Sequence, residues 1–148
     1  MSVNMTIVGI SDAVQTILNG LTDPDFVDVI AAPESENSKF SGYPSARHFY
    51  IGTESNYATV TQNRRVIQHT VFVYLLFVGK TEAEKWRNAT ATLDKVIQKF
   101  DESIDLNGAC DIMRPAPGQL SRIDTQAGEG LIAEINLFCE SDMTFRNA

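Results

Sequence analysis

The segment Tyr57–Val78 constrains this chain most, because it asks for a single β-strand far longer than usual. From Arg64 to Thr70 polar and apolar residues mix; from Val71 to Val78 every residue is apolar or aromatic. A strand rises about 3.3 Å per residue, so Arg64 to Val78 reaches roughly 50 Å, whereas a common strand has about five or six residues. The odd positions (Arg65, Ile67, His69, Val71, Val73, Leu75, Phe77) are mostly apolar, and the even positions turn apolar only in the second half. Side chains alternate across a strand, so one face is expected to be covered along most of its length and the other only near Val78. The near half is expected to project from the body, a shape that suits a subunit pairing with its neighbours.

The long strand leads into the clearest helix, expected over Thr81–Ser103. Ala83, Trp86, Ala89, Thr90, Leu93, Val96, Ile97, Phe100 and Ile104 fall on one stripe, and Trp86 is expected in the core. Thr81 and Glu84 have capping-box spacing, with Gly79 as a breaker before them. A first helix is expected to open at Ser11 or Asp12, with Val14, Ile17, Leu18 and Leu21 on one face and Gly20 at its end. Thr22–Asp25 turns the chain, and Phe26–Ile30 is a short strand. Ala32–Tyr43 is expected to be a loop closed by Pro44.

Ser45–Ile51 alternates as a strand, with Arg47, Phe49 and Ile51 on one face and Ala46, His48 and Tyr50 on the other. Gly52–Asn56 is expected to turn and Tyr57–Thr61 to pair back as a hairpin arm. Ala109–Met113 is a short strand. Arg114–Gly130, with its prolines and glycines, is expected to be a long loop, and loops of that length are usually functional or disordered. Leu131–Glu140 alternates as a half-buried strand, and Ser141–Ala148 is a polar tail that needs a partner to become ordered. The pattern predicts an α+β fold: a two-layer domain with a mostly antiparallel or mixed sheet of roughly four to six strands and both helices on one face.

The 148 residues suit a single domain over residues 1–148, with 43% hydrophobic and 21% charged residues. A formal net charge of −7 argues against tight wrapping of nucleic acid, which needs phosphate-neutralising Lys and Arg. Cys110 and Cys139 lie in apolar segments and are expected to be free buried thiols. The amino-terminal residues lack a basic stretch followed by an apolar run, so no signal peptide is expected, and the apolar run Val71–Val78 is too short to span a bilayer as a helix. The chain is expected to be intracellular where it is made.

No catalytic residue, metal ligand set or cofactor motif is expected. His48 and His69 sit in different strands without a carboxylate or Cys at ligand spacing. Asn63, Arg64 and Arg65 stand at the start of the long strand, and on a strand Arg64 and Arg65 point to opposite sides. With Tyr57 and Gln68 they are the candidates for a contact between subunits. Asp101, Glu102 and Asp105 cluster at the end of the long helix and, with Arg122, are candidates for contact with another partner.

One further set of residues speaks to function. Gly42-Tyr-Pro44, Glu54-Ser-Asn-Tyr57 and Thr61-Gln-Asn-Arg-Arg65 are followed by the apolar strand Val71–Val78, the helix from Ala83 to Phe100 and a final strand ending near Cys139-Glu-Ser-Asp142. This order resembles the tail terminator family of long-tailed bacteriophages, also described as minor tail protein U-like or tail completion proteins. The resemblance implies a structural virion protein that is not an enzyme and needs no cofactor. It implies a homohexameric ring that caps the tail tube, ends its polymerisation and meets the head connector. The implied partners are sister copies, the tail tube protein and a head-tail connector or neck protein, with DNA passing through the lumen without specific binding and no membrane involved. The ring would be assembled in the host cytoplasm and retained in the virion tail. The alternatives are another neck or head-tail joining protein, a tail assembly chaperone, or a small-molecule-binding α+β enzyme in which His48, His69 and a carboxylate converge.

Overall fold

Two helices and five strands make up the computed structural model, which describes residues 5–21, 26, 28–31, 44–59, 64–78, 81–125 and 128–144. Helix α1 spans Ile7–Asn19 and α2 spans Glu82–Glu102. The expected start of α1 at Ser11 is displaced upstream, because Thr6 supplies the cap: its hydroxyl accepts the Gly9 N–H at 3.0 Å. Starting there adds Ile10, fully buried, to the stripe continued by Val14, Ile17 and Leu18. Gly20 ends the helix as expected. In α2 the Thr81 hydroxyl accepts the Glu84 N–H at 3.1 Å, as the capping spacing predicts.

The buried stripe of α2 is Lys85, Ala89, Thr92, Val96 and Phe100. Trp86 lies off it and is 55% exposed, and Ile104 is exposed too, so neither belongs to the core as expected. Lys85 takes the place sought by Trp86: its stem is covered while its ammonium meets Glu82 Oε1 at 2.8 Å and the Glu129 carbonyl at 3.2 Å. After α2 the backbone enters the left-handed region at Leu106, Asn107 and Gly108 (φ 49°, 56° and 89°). That conformation is costly for Leu106, and full burial of its side chain offsets the cost.

The strands are β1 (Asp28–Ala31), β2 (Ser45–Thr59), β3 (Arg64–Phe77), β4 (Ile112–Thr125) and β5 (Gly128–Thr144). They form one sheet in the order β1-β2-β3-β5-β4. β1 runs parallel to β2 and the other neighbours are antiparallel, so the fold is α+β with a mixed, mostly antiparallel sheet. β3 takes the centre, as its apolar run demands: Val71 and Val73–Phe77 are buried, which a strand achieves only when both of its faces are covered there.

Two segments expected to be loops are strands. Gly52–Asn56 does not turn; it continues β2, with Gly52 opposite Thr70 and Asn56 opposite Val66. The backbone groups of the polar half of β3 need partners, and this stretch supplies them. The irregularity that the glycine signals is a bulge at Ile51, between the Tyr50 and Gly52 pairings. Arg114–Gly130 is likewise a hairpin of β4 and β5, not a long loop. Pro115 and Pro117 are tolerated because β4 is an edge strand. Gly118 sits at a bulge between Pro117 and Leu120, where a Cβ would lie 3.1 Å from Glu134 Cβ and 3.3 Å from its carbonyl oxygen. The expected polar tail begins later as well, since β5 runs on through Ser141–Thr144.

Both helices pack on one face of the sheet. Ile10, Val14, Leu18, Val96 and Phe100 join Val71, Val73, Leu75, Phe77, Ala133, Ile135 and Leu137 in one core. The other face carries a smaller cluster of Tyr74, Leu76 and Ile132 flanked by Phe49 and Phe72, with no described helix residue in it. Its rings stack at centroid distances of 5.4 Å (Phe49–Phe72), 5.9 Å (Phe72–Tyr74) and 6.2 Å (Phe49–Tyr74), in the range where aromatic pairs are favourable. Arg47 lies on this face opposite Tyr74, fully buried, with its Nη1 donating to the Ala46 carbonyl at 2.9 Å. The expected loop Ala32–Tyr43 lies outside the described residues.

Candidate interaction surface

The sheet is stepped. β1 accompanies β2 only along Ser45–His48, and β4 accompanies β5 only as far as Glu140, opposite Ile112. Beyond that row the sheet is three strands wide, with β3 between β2 and β5. The last rows are Ser55–Ile67–Ser141, Asn56–Val66–Asp142, Tyr57–Arg65–Met143 and Thr59–Arg64–Thr144. This ribbon extends roughly 13 Å past the shorter strands at about 3.3 Å per residue. The expected projection is therefore present but differs in form: it is a three-stranded ribbon, and Gln68–Thr70 remain beside wider sheet.

The subunit-contact candidates gather here. Tyr57 pairs with Arg65 across the ribbon, Arg64 pairs with Thr59 and Thr144, and half-buried Gln68 stands at the ribbon's root between Glu54 and Glu140. Asn63, and the side chains of Tyr57, Arg64 and Arg65, lie outside the described residues.

The partner-contact candidates do not form one surface. Asp101, Glu102 and Asp105 are exposed at the end of α2. Arg122 lies near the other end of that helix, its Nη2 3.4 Å from Glu82 Oε2 and its Nη1 3.6 Å from Glu129 Oε1. A helix of 21 residues spans about 30 Å, so the two groups are far apart. Arg122 joins Lys85, Glu82 and Glu129 in tying the β4–β5 hairpin to α2. The hydrogen bond from Lys85, with help from Arg122, lowers the Glu82 carboxyl below its usual value. Glu102 shares a shallow groove with Gly20, Leu21, Lys95, Gln98 and Lys99, so the helix end is of mixed charge and not purely acidic.

The histidines are built into separate networks. His48 is fully buried on the helix face, its Nε2 2.6 Å from Gln15 Oε1, while Gln15 Nε2 donates to the Val29 carbonyl at 2.8 Å. The second bond orients the amide, so His48 Nε2 carries the proton and Nδ1 is bare. Nδ1 has no hydrogen-bond partner among the described residues. Burial of the ring lowers its pKa to about 4. His69, further along the same face, has Nδ1 2.7 Å from Thr53 Oγ1, which also bonds to the Tyr50 hydroxyl, and its ring stands edge-on to Tyr50 at 5.8 Å. Burial lowers the His69 pKa too. The sequence signal for this cluster is Gly52, which marks the bulge at Ile51 that brings Tyr50 and Thr53 to one face although their numbers differ by three.

Cys110 and Cys139 are free and buried, as expected. A hydrogen bond to Cys110, together with burial, pushes the Cys139 thiol up and keeps it neutral. Among the described residues no group of three or more His, Cys, Asp or Glu side chains is placed to hold a metal ion. No described helix is long and apolar enough to cross a membrane. No protein-family model matches the chain, and no curated protein matches it.

Proposed function

We propose that this chain is a ring-forming subunit of a bacteriophage tail, in the manner of a tail terminator. The observation that carries the reading is the ribbon of β2, β3 and β5, which leaves the helix-covered body with both of its outer strands unaccompanied among the described residues. Edge backbone left in this state invites pairing with another chain, and repetition by rotation closes such contacts into a ring. The proposed ring has six copies, caps the tail tube, ends its growth and receives the head-tail connector or neck protein. A net charge of −7 suits a lumen through which DNA passes without being held, since like charge repels phosphate. Assembly takes place in the host cytoplasm, and the ring remains in the virion.

The test is assembly. The purified chain is expected to form rings by negative-stain microscopy, alone or on the ends of tail tubes. Arg65→Glu is expected to reduce ring yield at least tenfold while far-UV circular dichroism stays that of the parent. A parent chain that neither forms rings nor binds tube ends overturns the reading.

A further inference from the structure

The two outer strands of the ribbon are open at the same level. Ser55–Thr59 of β2 and Ser141–Thr144 of β5 flank the same residues of β3, Arg64–Ile67, from opposite sides. Neither segment has another strand beside it among the described residues. The sheet's other long edge is guarded: β4 carries Pro115 and Pro117, which withhold N–H groups. From Phe49 to Thr59, β2 has neither proline nor lysine, and Ser141–Thr144 has neither. The edge devices that Ser55–Thr59 and Ser141–Thr144 do carry are slight: a register irregularity between Tyr57 and Thr59 on β2 and the single charge of Asp142 on β5.

We infer that neighbouring copies join by pairing the β2 edge of one with the β5 edge of the next, and that this pairing is parallel. The direction follows from topology. β2 and β5 both run antiparallel to β3, so they run parallel to each other. Rotation about an axis roughly along the strands preserves strand direction, so β5 of the next copy arrives parallel to β2. Each copy offers one edge of each kind, which makes the contact heterologous and lets it repeat around a ring. Pairing β2 with β2 would instead be antiparallel, would use a two-fold axis and would stop at a dimer. This inference rests on the ring reading and specifies which backbone joins the subunits.

Proline substitution at adjacent residues tests it. In an antiparallel pair, successive residues alternate between facing the partner strand and facing away. One member of Ser55→Pro and Asn56→Pro therefore removes only an outward N–H of β2, and one member of Asp142→Pro and Met143→Pro does so for β5. The member of each pair that keeps the parent's circular dichroism and a cooperative melt is carried forward to sedimentation velocity. The parent is expected to assemble. The β2-blocked and β5-blocked chains are each expected to stay at the monomer mass of 16.4 kDa. Mixed, they are expected to form a dimer of twice that mass, because each retains the edge that the other lacks.

If both blocked chains assemble like the parent, the edges are not the joint, although a ring through another surface survives. If the β5-blocked chain alone still dimerises and the β2-blocked chain does not, pairing is isologous and the inference fails. A parent that stays monomeric at every concentration and on tube ends overturns both the joint and the ring.

Discussion

His48 makes the stability of this protein depend on pH in a calculable way. Its ring is neutral and fully buried, donates from Nε2 to Gln15, and is lowered from 6.5 to about 4. Protonation would put charge on Nδ1, which has no hydrogen-bond partner among the described residues. Above pH 6.5 the ring is neutral in both folded and unfolded chains and adds no pH dependence. Between 6.5 and 4 the unfolded chain takes up a proton that the folded chain refuses, so unfolding becomes easier as pH falls. Below about 4 both forms are protonated and the loss is complete. At 1.36 kcal/mol per pKa unit, this shift corresponds to about 3 kcal/mol.

The assay is urea unfolding of the parent and of His48→Gln at intervals from pH 7.5 to 3.5. His69, also lowered by burial, and the carboxylates titrate in both proteins and cancel in the comparison. His48→Gln is expected to be less stable at pH 7.5, because its hydrogen bond and packing are altered. The gap between the two curves is expected to narrow by about 3 kcal/mol toward pH 4, with the midpoint of the change between pH 4 and 6.5. Parallel curves across that range would refute the assignment of a buried neutral ring, as would a His48 resonance that titrates near 6.5 by nuclear magnetic resonance.

Other substitutions probe the packing. Phe100→Ala empties a fully buried site in the main core and is expected to cost about 3–5 kcal/mol in chemical unfolding. Gly118→Ala places a methyl group 3.1 Å from Glu134 Cβ, against the β5 backbone, and is expected to cost about 1–2 kcal/mol as the β4 bulge shifts. Trp86→Ser is expected to change stability by less than about 0.5 kcal/mol, because the indole is 55% exposed; a loss of several kcal/mol would restore Trp86 to the core.

What was legible from the residues was local or periodic. The Thr81 cap, the end of α1 at Gly20, the extent of β3 and the alternation of β5 all follow from chemistry within a few positions. The α+β class follows from their order. Arg64, Arg65 and Gln68 lie along one stretch of β3, because strand neighbours in sequence remain neighbours in space. By contrast, Asp101, Glu102, Asp105 and Arg122 were grouped by charge, and the fold places them at opposite ends of α2.

Sequence alone determined the central strand: the continuous apolar run Val71–Val78 has one comfortable place, with sheet on both sides and cover on both faces. It also determined the start of α2, where the Thr81 hydroxyl meets the orphan N–H of Glu84, whereas the start of α1 fell at Thr6 and not at the Ser11 or Asp12 expected. Tertiary structure alone decided that Gly52–Asn56 and Arg114–Thr125 would be strands, because glycine and proline signal turns locally but yield when a long neighbour offers a ladder of backbone partners. It decided, too, that α2 would turn Lys85 inward and Trp86 outward. On so broad a stripe, the choice belongs to the sheet beneath and to Glu82 and the Glu129 carbonyl, which receive the buried ammonium.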